Sequence, residues 1–219
     1  MKSHSVFVTG ATGHMGRTLI PALSKAGYRV RALVRPGSEG KLPPGCDSVG
    51  GDPLDAQSYV DKISPCDTLV HLVGVTHPNP SKANQFRNID LKSIQQAITA
   101  AKASGVRHIV YVSVAQPAPV MKAYIEARAE GEALVRASGL NATILRPWYV
   151  LGPGRRWPAL LLPIYWVMGM IPATRESAQR LGLVTTQQMT NALLAAVEGA
   201  PQGVRVIDVP GIRNAKSAS

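Results

Sequence analysis

The chain has 219 residues, 45% of them hydrophobic, and 24 Lys or Arg against 13 Asp or Glu give a formal charge of +11. That length supports one sizeable core and excludes two ordinary domains of independent size. The composition excludes collagen-like, coiled-coil and disordered classes, and two cysteines without metal-ligand spacing, Cys46 and Cys66, exclude a disulfide framework. A reducing, cytoplasmic setting is expected, with no signal peptide, because the polar segment 1–5 runs straight into an apolar stretch. The charge is uneven: residues 1–41 carry seven bases against one acid, 42–120 six against six, and 121–219 eleven against six. The N-terminal excess brackets a glycine loop, where a phosphorylated ligand accounts for it. Without zinc-finger spacing, a helix-turn-helix pattern or basic–aromatic interleaving, no nucleic-acid partner is expected.

The loop is Thr9-Gly10-Ala11-Thr12-Gly13-His14-Met15-Gly16, between the apolar run Val6–Val8 and an amphipathic stretch from Met15 to Ala26. Strand, glycine turn and helix in that order form a phosphate cradle: glycines let the backbone turn and let a phosphate approach, and the helix start offers free N–H groups and positive dipole. The spacing is GxxGxxG, which as an isolated triplet also suits a β-to-α turn that binds nothing. Its position at the head of a βαβ unit favours a dinucleotide.

Gly27 ends the helix, and Tyr28–Val34 alternates as a second strand. An NAD-binding chain carries an acid at this strand end to hold the ribose 2′-hydroxyl, whereas arginine suits a 2′-phosphate. The sequence reads Val34-Arg35-Pro36, so NADP(H) is preferred over NAD(H), with Arg35 first and Arg31 or Arg17 as helpers. A Pro/Gly loop over 36–45 and a short strand 46–49 lead to Gly50-Gly51-Asp52-Pro53. Asp52 either accepts from the adenine amino group or caps a helix beginning at Leu54; the two roles are compatible.

The run 67–74 reads as a central strand covered on both faces, with His71 as a core residue and Gly74 open to close ligand approach. A helix over 81–104 stops at Gly105, and a strand follows over 106–112. Ser113 comes just past it. Tyr124 and Arg128, four apart on a helix to about 138, share one face, so a cation stands by a phenol and favours its ionised form. The competing reading is a surface tyrosine with Arg128 paired to Glu132. After a strand over 142–145, Arg146-Pro147-Trp148 would wall off the cofactor's reactive ring.

These residues resemble the short-chain dehydrogenase/reductase superfamily, in its extended and atypical, epimerase-like branch. The resemblance covers about residues 5–150 and rests on the Thr9–Gly16 motif, Asp52, His71-Leu72-Val73-Gly74, Ser113 with Tyr124, and Arg146-Pro147 with Gly152-Pro153-Gly154. It implies an α/β, Rossmann-type doubly wound parallel sheet flanked by helices, with a small C-terminal substrate region at about 151–203. It implies Tyr124 as general acid/base, Ser113 positioning substrate, and residue 128 binding the nicotinamide ribose. That position is ordinarily lysine; here it is Arg128. Expected cofactor contacts are Thr9, Gly10, Thr12, Gly13, His14, Met15, Gly16, Arg35, Asp52, Pro53, Val73, Gly74, Tyr124, Arg128, Pro147 and Trp148. The chain also resembles accessory-subunit relatives associated with respiratory complex I and quinone biosynthesis, some of which hold NADPH without turnover.

Residues 157–172 carry no charge and are flanked by Arg155, Arg156 and Arg175. Too short and Pro-broken to span a bilayer, the segment admits three readings: a buried helix of the substrate region, a lining for an apolar substrate, or a peripheral membrane or protein-complex contact. A helix over 185–198 and a strand over 204–209 close the chain, whose last residues, 214–219, are expected to fray. The resulting expectation is an NADP(H)-dependent oxidoreductase or epimerase-like protein for a small, apolar carbonyl or hydroxyl substrate, monomeric or dimeric. A catalytically silent NADPH-binding, redox-sensing or assembly protein is the alternative.

Overall fold

The computed structural model describes residues 5–76, 78–118, 120–152, 180–200 and 202–216. The segment 157–172, the flanking Arg155, Arg156 and Arg175, and the Pro153-Gly154 pair lie outside the described residues. Among the described residues, seven strands form a parallel sheet: β1 (Ser5–Thr9), β2 (Arg29–Val34), β3 (Asp47–Gly50), β4 (Thr68–His71), β5 (His108–Val112), β6 (Asn141–Leu145) and β9 (Val204–Ile207). Their spatial order is β3-β2-β1-β4-β5-β6-β9. The chain therefore winds outward from β1 in one direction and restarts at β4 in the other, which makes a doubly wound Rossmann-type sheet with its switch point between β1 and β4. Strands this apolar need cover on both faces, and two clusters supply it. One packs Leu19, Ile20 and Leu23 of α1 (His14–Lys25) with Met189 and Leu193 of α5 (Thr186–Glu198). The other packs Tyr59, Ile63, Ile94 and Ala97 against Phe7, Leu69 and Ile109.

The helices follow local chemistry. Gly27 and Gly105 take positive φ where α1 and α3 (Lys92–Ala103) give way to strands. Thr185 and Gln188 form a reciprocal capping box at the start of α5. The helix expected from Leu54 is instead two 3-10 turns, Ala56–Ser58 and Val60–Lys62. Asp52 Oδ1 accepts the Leu54 N–H at 2.9 Å, as an N-cap would, but Asp55 Oδ1 accepts that of Gln57 at 3.1 Å, an amide that a regular helix from this point would give to the Pro53 carbonyl. The helix expected over 81–104 begins as a 3-10 turn (Pro80–Lys82), passes through α2 (Ala83–Gln85) and a π-helical segment (Phe86–Leu91), and runs on into α3. The final strand is shorter than expected, because Asp208 caps a last helix, α6 (Val209–Arg213). Between β6 and α5, β7 (Tyr149–Leu151) and β8 (Leu183–Thr185) pair in parallel as a separate two-stranded sheet.

Candidate functional site: a nucleotide cleft and a buried-charge wall

The glycine loop crosses the carboxyl end of the sheet at the switch point. Gly10 has φ +74°, and a Cβ there would lie 2.7–2.9 Å from the Leu72–Val73 backbone. A Cβ on Gly16 would collide with the Ala11 backbone. Two of the three glycines are thus required by the chain's own packing, and Gly13, exposed at the N-cap of α1, is the one open to a ligand. That helix has no side-chain cap and no acid in its first turn, so its N-terminus keeps its positive end for an anion.

Beside this loop lies a cleft of about 400 Å³, lined by Gly10, Thr12, Gly13, Arg35, Ser38, Asp52, Pro53, Val73, Gly74, Lys82, Gln85 and several apolar residues. Loop, cleft and helix end fit the adenosine and phosphate half of a dinucleotide. The expected residues fall on both sides of its boundary. Arg35 is exposed on the wall; its carbonyl accepts the Ser38 N–H, and among the described residues its guanidinium has no hydrogen-bonding or ionic partner. Arg31 is not beside it: its guanidinium donates to the Lys62 and Ser64 carbonyls, and neither it nor Arg17 lines the cleft. Asp52 lines the cleft while its Oδ1 holds the Leu54 amide; because no helix starts at Leu54, that bond closes a turn and is not the helix cap expected. Thr9 is buried and pairs with His71 Nδ1 at 2.9 Å; the His14 ring pairs with Thr186 Oγ1 at 3.1 Å. Both side chains therefore face protein. Met15 packs on the α1–α5 core. Lys82, Gln85 and Ser38 line the cleft although sequence reasoning passed over them, and nothing in their local pattern marked them.

His71 is the core residue expected. It is fully buried between Thr9 and Ser93, whose Oγ lies 3.1 Å from Nε2. Burial, helped by the nearby Arg128 charge, lowers its pKa to about 3.

The chemical candidates sit at the ends of β4 and β5. Ser113 is buried and, among the described residues, its Oγ has no hydrogen-bonding partner. Tyr124 is half-buried on α4 (Lys122–Ala137), its ring 5.0 Å from that of Phe86 and 5.4 Å from the Arg128 guanidinium carbon. Arg128 does not pair with Glu132. It is buried, and Nη2 lies 2.6 Å from Asp90 Oδ1, with the two side chains 6% and 0% exposed. Nη1 donates to the Val112 carbonyl at 2.9 Å and Nη2 to that of Val73 at 3.3 Å. Asp90 Oδ2 accepts the Val75 N–H at 3.0 Å. One acid–arginine pair therefore holds the ends of both strands and the floor of the cleft from behind. The side of Gly74 that a Cβ would fill is taken by the Arg128 guanidinium, so the absent side chain admits this arginine. Burial pushes the Asp90 carboxyl up, against the lowering pull of Arg128 and of the Val75 amide.

Sequence reasoning missed Asp90, although a signal was present. Phe86, Asp90, Ser93, Ile94 and Ala97 recur at helical spacing on one face, all buried, and an acid on an apolar stripe requires a partner. The competing reading, in which Glu132 pairs with Arg128, does not hold. The Glu132 carboxylate is held by Arg146, Nε to Oε1 at 2.9 Å and Nη2 to Oε2 at 2.5 Å, and by Gln116 Nε2 at 2.8 Å. Pro147 is buried and Trp148 half-buried directly after Arg146.

Comparison with known proteins agrees with this geometry. A family model described as NAD(P)H-binding matches residues 10–155. The chain is 32% identical over 152 residues to the ceramide reductase of Caulobacter vibrioides, covering 68% of this chain and 47% of that protein. It is 27% identical over 227 residues to a 3-diazoavenalumate denitrifying reductase of Streptomyces sp, covering 90% and 73%. The chain thus spans about half the length of the first relative and about three quarters of the second. The structure of the enzyme WbmH of Bordetella bronchiseptica in complex with NAD+ superposes with a TM-score of 0.69 at 20% identity, over 94% of this chain and 76% of that one, a likeness of fold. With a Rossmann-type sheet, a glycine cradle at its switch point and a family match across two thirds of its length, the chain belongs to the NAD(P)H-binding family.

Proposed function

We propose that the protein is an NADP(H)-dependent oxidoreductase or epimerase-like enzyme, acting on a carbonyl or hydroxyl of a small apolar substrate with Tyr124 as acid/base. The observation that carries this reading is the Ser113–Tyr124 arrangement. A buried serine hydroxyl, unpartnered among the described residues, lies just past β5, and a half-buried tyrosine beside a fixed guanidinium occupies the helix that follows. Arg35, its guanidinium unpaired among the described residues on the cleft wall with no acid at the end of β2, supports a 2′-phosphate and hence NADP(H). Bound NADPH supplies a hydride. Ser113 holds the substrate oxygen, Tyr124 exchanges the proton at that oxygen, and Arg128 fixes the Tyr124 ring from below. The uncharged stretch 157–172 and the relative named for reducing a ceramide support an apolar substrate. Among the described residues no helix is long and apolar enough to cross a membrane.

The test is a fluorescence titration with NADPH and NADH, then NADPH oxidation against a panel of lipophilic ketones by the wild type and Tyr124→Phe. Tighter binding of NADPH than NADH, with turnover lost about 10²-fold or more in the variant and NADPH affinity unchanged, is the expected result. Failure to bind either nucleotide refutes the cofactor site. One observation favours a second reading: Arg128 is buried, its Nη1 and Nη2 turned to Val112, Val73 and Asp90 and its Nε enclosed, which holds the cation that the resemblance implies behind the cleft floor and away from a ribose. In that case the protein binds NADPH as a redox sensor or assembly partner, and the whole panel stays unreduced while NADPH binds tightly.

A further inference from the structure

We propose that Glu132 is a positioning residue for the chemical half of the site, a role that rests on the Ser113–Tyr124 reading above. Its side chain is 3% exposed and receives three hydrogen bonds from two separate segments. Gln116 lies three residues past Ser113 on the loop between β5 and α4, and Arg146 precedes Pro147 and Trp148. The two segments also run together through the backbone, Ser113 N–H to the Leu145 carbonyl at 2.8 Å and Ala115 N–H to that of Pro147 at 2.9 Å. Tyr124, Arg128 and Glu132 follow at steps of four along one side of α4. The serine loop, the tyrosine helix and the Pro147–Trp148 turn are therefore joined at a single carboxylate. None of Gln116, Glu132 and Arg146 lines the nucleotide cleft.

A planar fork on a carboxylate fixes both distance and orientation, which apolar packing between the same elements would not. Loss of the carboxylate should move the chemical groups relative to one another while the adenosine half of the cleft stays as it is.

The test uses the full chain with Trp157→Phe and Trp166→Phe, so that Trp148 is the single tryptophan, and compares Glu132→Gln, Arg146→Lys and Gln116→Leu. Three quantities are read: acrylamide quenching of Trp148, affinity for 2′,5′-ADP, which occupies only the adenosine half, and kcat and KM on the most rapidly reduced ketone. The expected result for Glu132→Gln is a rise in Trp148 quenching, 2′,5′-ADP affinity within about twofold, and kcat lowered about 10²-fold with KM for NADPH little changed, as an ångström-scale misplacement would produce. Gln116→Leu removes one arm only and should show the same pattern more weakly, which keeps the test decisive where Glu132→Gln does not fold. Unchanged quenching, or 2′,5′-ADP affinity lost in step with quenching, overturns the proposal, because the network would then be either idle or a general brace. If the wild type reduces no ketone, the reading of the enzyme fails, and quenching with 2′,5′-ADP binding still decides the role of Glu132.

Discussion

Asp90→Asn is the sharpest perturbation of the site, because it keeps the shape of the side chain while it removes the counter-charge and turns an amide NH2 in place of an acceptor toward Arg128. The amide retains an acceptor for the Val75 N–H and has nearly the volume of the carboxylate, so packing and that hydrogen bond survive. What is left is the Arg128 guanidinium, 5% exposed, without its counter-charge. Guanidinium does not deprotonate in proteins, and a buried charge without its partner costs about 3–5 kcal/mol. With a urea dependence near 2 kcal/mol/M, the unfolding midpoint should fall by about 2 M. The reverse deletion, Arg128→Met, has an escape: the Asp90 carboxyl, already pushed up by burial, takes a proton. Protonating an ordinary aspartic acid costs about 4 kcal/mol at pH 7 and about 1.5 kcal/mol at pH 5, which caps the electrostatic cost of that variant. Urea unfolding of both variants at pH 7 and pH 5, each against wild type at the same pH, should show the Arg128→Met deficit shrinking on acidification and the Asp90→Asn deficit persisting. The neutral double variant should recover much of the loss. A deficit below about 1 kcal/mol for Asp90→Asn, the scale of an exposed pair such as Arg107–Asp67, would refute the claim that this pair is desolvated.

Arg35→Ala should weaken NADPH binding roughly 10- to 150-fold, the worth of a charged hydrogen bond, and leave NADH within about twofold; equal loss of both would remove the 2′-phosphate assignment. Gly16→Ala should prevent folding or lower the melting temperature severely, since its Cβ collides with the Ala11 backbone, and a soluble variant of native stability would contradict the loop geometry. His71, with its folded pKa lowered to about 3, stays neutral in the native state while the unfolded chain binds a proton below about pH 6.5. Stability is thus fully present above pH 6.5 and falls on acidification, by about 2 kcal/mol from this residue at pH 5. His108, lowered to about 4 chiefly by burial, adds in the same direction. Equal unfolding free energies at pH 7.5 and pH 5 would show that neither ring is sequestered.

The nucleotide half of the site was legible in the sequence because one-dimensional constraints create it. The strand-glycine-helix order, the acid missing after Val34 and the Asp52-Pro53 turn are local features, and each lies at the carboxyl end of a strand beside the cleft. The chemical half was only partly legible. Spacing put Tyr124 and Arg128 on one face, but it could not choose between Glu132, four residues along the helix, and Asp90, 38 residues back in another element. Burial decides between them: Glu132 is claimed by the fork of Arg146, and Arg128 reaches Asp90 through the gap that Gly74 leaves. The π-helical segment 86–91 was invisible for a similar reason. Its register is set by what Phe86 and Asp90 meet across the structure, the Tyr124 ring and the Arg128 guanidinium, and no local residue preference encodes that.

Helix α4 is thus bound to the rest of the site by two carboxylate–arginine pairs, one buried and one half-buried, where leucines would have held it. Stability does not explain the choice, since apolar residues of similar volume often match or exceed a buried pair. Geometry does: a guanidinium fork seats on a carboxylate in one arrangement, whereas an apolar contact tolerates sliding. Replacing the outer pair together, Glu132→Leu with Arg146→Met, separates the two explanations. If the pair serves geometry, unfolding free energy stays within about 1.5 kcal/mol of wild type, the tolerance of a volume-conserving core exchange. The amides of 113–116 then exchange faster and the ketone kcat still falls. A double variant as rigid and as active as wild type would mean that the charges are dispensable and that packing alone positions Tyr124.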